Sequence, residues 1–107
     1  MDDNRLKKID KRISAIKDEL FKIGPMRPGS LRLQYKKPKQ KSGPFWQISY
    51  TRAMKSKSEY VRPDGVDSVR KEIETYKQFK ALVDEWVDLA IEESKIRLKG
   101  DIKTEAK

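Results

Sequence analysis

Two hydrophobic rhythms divide the chain. Leu6, Ile9, Ile13, Ile16, Leu20 and Ile23 recur at steps of three and four, the narrow apolar stripe of a helix built to pair with another helix. Charged side chains fill the other positions, and Asp2 and Asp3 stand where the positive end of the helix dipole favours acids. The pattern predicts a helix over residues 1–23, stopped by Gly24-Pro25. A turn-rich segment, Gly24 to Ser30, follows.

The rhythm then changes to a period of two. Leu31-Arg32-Leu33-Gln34-Tyr35 alternates strictly and reads as a short strand, although five residues also fit a helical turn. Lys36 to Pro44 reads as a solvated basic loop, Phe45 to Thr51 as a strand, Arg52 to Ser56 as a hairpin loop and Lys57 to Arg62 as a further strand. The pleat puts Trp46, Ile48 and Tyr50 on one face of their strand, and Phe45, Gln47, Ser49 and Thr51 on the other. The apolar set is expected to pack on a helix and the polar set to face out, as Arg32 and Gln34 do on the preceding strand. The last strand leaves two options open: Tyr60 inward, or Val61 inward with Tyr60 exposed.

From Val66 the period returns to that of a helix, predicted over 66–99, with Asp64 as its cap and Gly100 as its end. One seam carries Val66, Val69, Ile73, Tyr76, Val83, Val87 and Ala90, and an adjacent one Phe79, Leu82, Trp86, Leu89 and Ile96. Two seams imply two neighbours: the sheet for the first half, the N-terminal helix for the second. The expected fold class is therefore α+β, a small antiparallel β-meander of two or three strands backed by a long C-terminal helix paired antiparallel with an N-terminal helix. This is one domain over 1–99, with a basic meander over 30–62 and a flexible tail over 100–107.

Charge sharpens the picture. The chain of 107 residues carries a net charge of +9, and residues 22–62 alone hold eleven basic side chains and one acidic one, Glu59. The flanks are close to neutral, so the excess forms a patch. Histidine and cysteine are both absent, which removes imidazole acid–base chemistry, thiol nucleophiles and the usual zinc ligands. Asp84, Asp88 and Glu92 fall on one helix face but read as a solvated face, and no phosphate-binding glycine loop is present. The expectation is a protein without enzymatic activity, cofactor or metal. No apolar run approaches the roughly 20 residues that span a bilayer, and MDDNRLKKID lacks the apolar core of a signal peptide. A cytoplasmic location away from membranes is expected.

A basic loop beside a hydrogen-bonding sheet face suits nucleic acid, because phosphate neutralisation dominates affinity and a β-ribbon fits the major groove. Arg32, Gln34, Gln47, Ser49 and Thr51 are the candidates for bases, and Arg27, Lys36, Lys37, Lys39, Lys41, Arg52, Lys55 and Lys57 those for phosphates. Trp46 reads as core, and Phe45 as the better candidate for an exposed stacking ring. Duplex DNA stands ahead of RNA as the expected partner, with an RNA-binding protein as one alternative, since a positive patch does not itself distinguish a DNA groove from an RNA backbone. The other alternative is a protein-interaction module in which the helical hairpin forms a homodimer or docks on a transposase or nuclease, with Phe79, Leu82 and Trp86 as its exposed surface.

The motifs Gly24–Leu31 (GPMRPGSL), Gly43–Tyr50 (GPFWQISY), Tyr60–Pro63 (YVRP) and Val69–Glu92 resemble a family of small uncharacterised bacterial and archaeal proteins. Its members are often encoded beside or within transposase genes. The resemblance covers about residues 5–98 and implies association with mobile DNA, with no catalytic residues. Many members carry a cysteine cluster between the PGSL and GPYW motifs. Here Gln34 to Ser42 holds lysines instead, so metal binding does not carry over. The order of sheet and helix also resembles the arm-binding domains of tyrosine integrases and the plant ethylene-response DNA-binding fold, in which a three-stranded sheet enters the major groove.

Overall fold

A computed structural model of the chain describes residues 2–105, with side chains described over residues 3–100. The order is α1 (Asp2–Phe21), β1 (Ser30–Lys37), β2 (Ser42–Arg52), β3 (Lys55–Val61) and α2 (Val66–Glu105). This is an α+β fold with a three-stranded antiparallel sheet in the order β1-β2-β3. The chain forms two compact units, one of residues 24–78 and one made of residues 1–23 with 79–107.

In the sheet unit the alternation of β2 decides the layering. Ile48 is fully buried, and with Val61, Val66 and Ile73 it makes the core, against which Leu31, Trp46 and Val69 pack. The first turns of α2 therefore cover one sheet face. Gly29 allows this packing. Its φ is +144°, and a Cβ there would lie 2.7 Å from the Ile48 side chain, so the chain can pass over Ile48 only without a side chain.

The strands are longer than their alternation predicts. Lys36 and Lys37 belong to β1 and Ser42 to Pro44 to β2, paired as far as Lys37 opposite Ser42. The expected loop over Lys36–Pro44 shrinks to a 3-10 turn, Pro38–Gln40, closed by Lys41 in a left-handed conformation. Gly43, at φ +68°, permits the extension, because its bare Cα passes the Lys36 side chain. Pro44 is tolerated in β2 because β3 reaches only as far as Trp46, leaving the strand with one neighbour at that point. The β2–β3 connection is a two-residue turn, Ala53-Met54, and not the five-residue loop that composition suggests. Both residues have positive φ, 52° and 64°, the backbone of a type I′ hairpin turn, usually supplied by Asn-Gly.

In the helical unit Ile9, Ile13 and Ile16 of α1 and Leu82 of α2 are buried. Arg5 grips Glu92 and Arg12 grips Glu85, each by two hydrogen bonds. Rising numbers on α1 meet falling numbers on α2, so the pair is antiparallel. These exposed pairs contribute little to stability but fix the alignment of the helices. The hydrogen bond from Arg12 holds the Glu85 carboxyl below its usual range, and that from Arg5 does the same for Glu92. Glu93 behaves in the opposite way: the Asp10 carboxyl, to which only a protonated Glu93 can donate, and burial push it up.

Three boundaries differ from the sequence reading. α1 ends at Phe21, and Lys22 and Ile23 close its last turn on Glu19 and Leu20. Asp64 sits inside a 3-10 turn, Pro63–Gly65, that leads into α2. Gly100 does not end α2, which continues to Glu105: an isolated glycine costs a helix about 1 kcal/mol relative to alanine, too little to break one already long. Of the expected tail, residues 106–107 lie outside the described residues.

Two predictions follow from strain and charge. Replacing Ala53-Met54 by Asn-Gly should stabilise the protein by roughly 1–3 kcal/mol in denaturant unfolding, since each L-residue with positive φ costs about 1–2 kcal/mol. Unchanged or lower stability would contradict the turn geometry. Because the folded-state pKa of Glu93 is raised, folding favours its protonated form, and that contribution fades as pH rises above the ordinary carboxyl range. Glu93→Gln, which mimics the protonated form, should raise Tm at neutral pH, and the gain should vanish in acid.

Candidate nucleic-acid interface

The register of the sheet sorts every candidate by face. Arg32, Gln47 and Tyr60 lie level across the three strands, as do Ser30, Ser49 and Ser58. Gln34 stands opposite Phe45, and Thr51 opposite Ser56. Residues directly opposite in an antiparallel pair share a face, so all five predicted base-facing residues, Arg32, Gln34, Gln47, Ser49 and Thr51, are brought together on the face that α2 does not cover. Arg32, Ser49 and Thr51 are exposed, while Gln34 and Gln47 are half-buried.

The hydroxyls of this face pair across strands: Ser49 and Ser58 at 3.4 Å, and Thr51 and Ser56 at 3.3 Å. The result is a surface of hydroxyl, amide and guanidinium groups that carries no carboxylate. It can donate and accept hydrogen bonds at base edges or phosphates.

The open question on β3 resolves in favour of Val61, which is buried. Tyr60 is consequently 64% exposed on the polar face, beside Gln47. Tyr60, Ser56, Ser58 and Ser30 complete the surface and were not picked out from the sequence. Their place follows from the two-residue turn, which fixes the register of β3 and which no turn signature in the sequence marks. Phe45 shares this face but is half-buried, so Tyr60 is the ring most open to stacking.

The opposite face carries the residues held for structure. Trp46 is half-buried, with the Arg70 guanidinium 5.0 Å from its ring centre, so the protein's own cation occupies it. Tyr50 is half-buried and engaged by side chains of its own unit. Arg27 lies 5.2 Å over its ring, and its hydroxyl donates to Glu59 at 2.6 Å. Arg27 also donates to Glu59, and its backbone N–H reaches the Glu72 carbonyl of α2. Arg27, placed among the phosphate candidates by sequence, is thus engaged within the protein. The bond from Tyr50, with Arg27, holds the Glu59 carboxyl below its usual range, and the same bond pushes the Tyr50 phenol up. The one carboxylate of the basic segment is thereby paired internally.

The remaining cations form two groups at the ends of β2. Lys36, Lys37, Lys39 and Lys41 surround the β1–β2 turn, and all are exposed. Arg52 and Lys55 face each other beside the strained turn, with Lys57 opposite Tyr50, so the register puts these three on the same side of the pleat as Ile48 and not with the base candidates. Like charges directly opposite weaken a hairpin, and this one also has a costly turn with Met54 99% exposed at its tip. The eleven residues of β2 separate the two groups by about 33 Å at ~3.3 Å per residue.

Among the described residues, no cluster of three or more His, Cys, Asp or Glu could hold a metal ion, and no helix is long and apolar enough to cross a membrane. No curated protein and no solved structure matches the chain significantly. Residues 4–71, which take in all but the first two residues of α1, the whole sheet and the start of α2, match the family described as a domain of unknown function, DUF6788. Gly29 and Gly43, the glycines that the close approach to Ile48 and Lys36 requires, both lie inside that span, and the chain belongs to this family.

Proposed function

We propose that the protein is a non-enzymatic nucleic-acid-binding accessory protein whose uncovered sheet face contacts duplex DNA. One observation carries the reading: the sheet gathers Arg32, Gln47, Ser49, Thr51 and Tyr60 on a face without carboxylates, within a segment whose sole acid is engaged by Tyr50 and Arg27. Three strands about 4.8 Å apart match a major groove about 12 Å wide. The lysines around the β1–β2 turn, at one end of the uncovered face, are placed to hold phosphates, whereas Arg52, Lys55 and Lys57 stand on the other side of the pleat at the hairpin end. The hairpin end, with facing cations and a strained turn, trades stability for charge, which suits a polyanionic ligand. Association with mobile elements, and with a transposase or nuclease, rests on the motif resemblance alone.

Replacing Lys36, Lys37, Lys39 and Lys41 with alanine should weaken duplex binding and flatten its dependence on salt. If all four contact phosphate, the slope of log K against log salt should fall by about 3 to 4, at roughly 0.9 per contact. Arg32→Ala with Gln47→Ala should weaken binding with a smaller change of slope. Alanine at the exposed Lys7, Lys8 and Lys11 of α1 should leave binding unaltered. An unchanged slope in the lysine variant, or an equal loss in the α1 variant, would overturn the assignment. Competition among duplex DNA, single strands and structured RNA in the same assay identifies the preferred class, and preference for RNA would replace the groove reading.

A further inference from the structure

The second half of α2 carries an apolar strip that α1 does not cover. Val83, Val87, Ala90 and Ser94 follow one another at steps of four, three and four, with Ile91 and Leu98 alongside. Val87 and Ile91 are each 49% exposed, and Leu98 is 54% exposed. The strip lines a shallow groove of about 650 Å³, bordered by Trp86 and Lys95. The sequence reading expected the exposed surface on the other seam, at Phe79, Leu82 and Trp86. Leu82 is instead buried, and Phe79 and Trp86 are half-buried, with Lys17 5.4 Å over the Trp86 ring. The exposed residues continue the seam that begins at Val66.

Spacing by threes and fours is the seam of paired helices, and the small Ala90 and Ser94 at its middle permit close approach. The charges beside it identify the partner. At 100° per residue, Asp84, Asp88, Lys95 and Lys99 fall along one edge of the strip, and all four are exposed. Acids lie toward the start of that edge and bases toward its end. A two-fold axis across an antiparallel pair sets this edge beside its own copy with the direction reversed, so acids meet bases, whereas a parallel two-fold pair would leave the two copies of the edge on opposite sides of the seam and unpaired.

We propose that a second copy of this chain covers the strip, antiparallel, about a two-fold axis passing between Ala90 and Ile91. In that arrangement Val83 of one copy lies level with Leu98 of the other, and Val87 with Ser94. Lys95 of each copy falls between Asp84 and Asp88 of the other. The same patch meets itself, as a closed two-fold dimer requires. The dimer carries two basic sheets, so a polyanion long enough to engage both would gain from avidity. The pairing itself does not depend on what the sheets bind.

Equilibrium sedimentation of the full chain through the micromolar range should give a mass twice that of one chain. Asp84→Lys with Asp88→Lys makes the edge wholly basic, and Lys95→Glu with Lys99→Glu makes it wholly acidic. Each variant alone should sediment as a monomer with the circular dichroism of the parent. Their equimolar mixture should recover the doubled mass. A wild-type chain that stays monomeric throughout would overturn the proposal and assign the strip to another occupant. A mixture of folded variants that fails to associate would equally overturn it. Persistence of the dimer in both single variants would place the contact elsewhere.

Discussion

The structure of the sheet unit depends on the burial of one side chain. Ile48, at the middle of the central strand, is enclosed by the Val61, Val66 and Ile73 cluster and by the bare Cα of Gly29. Because side chains alternate along a strand, fixing Ile48 inward assigns every other residue of β2 to a face, and the paired registers extend the assignment to β1 and β3. A slip of one residue would bury Gln47 and Ser49 and expose Ile48. The hydrophobic core thus sets which polar groups meet solvent, and the candidate interface is a consequence of the packing behind it.

Electrostatics completes the division of labour. Glu59 falls on the helix-covered side of the pleat, where Tyr50 and Arg27 engage it, and it leaves the uncovered face without an acid. Arg27 and Arg70 are cations spent on structure, over Tyr50 and Trp46 respectively. Among the described residues, the lysines around the β1–β2 turn and the cations beside Ala53-Met54 form no ion pair. The hairpin end goes further, since facing cations and two L-residues with positive φ are choices that stability alone would disfavour.

Much of this was legible in the chain. The stripe from Leu6 to Ile23 and the seams of α2 specify two long helices because a buried face needs one apolar residue per turn. The alternation of Arg32, Gln34, Gln47 and Ser49 likewise placed those residues on a common face. The rest was hidden for physical reasons. Ala53-Met54 lacks the Asn-Gly signature, so the turn length, and with it the outward position of Tyr60, could not be read from composition. Gly43 reads as a turn residue although it extends the pairing. Arg27 looks like any other cation of a basic segment until Glu59 is brought beside it from 32 residues away. Which seam of α2 lies against α1 was equally invisible, because both are apolar.

Backbone amide shifts on titration with a short DNA duplex at physiological salt decide whether the uncovered face of the sheet is the contacting surface. The amides of Arg32, Gln47, Ser49, Thr51 and Tyr60 should move together with those of Lys39 and Lys41, while those of Ile9 to Ile16 in α1 stay in place. Shifts concentrated on α1 or on the second half of α2, or none at all, would contradict that role.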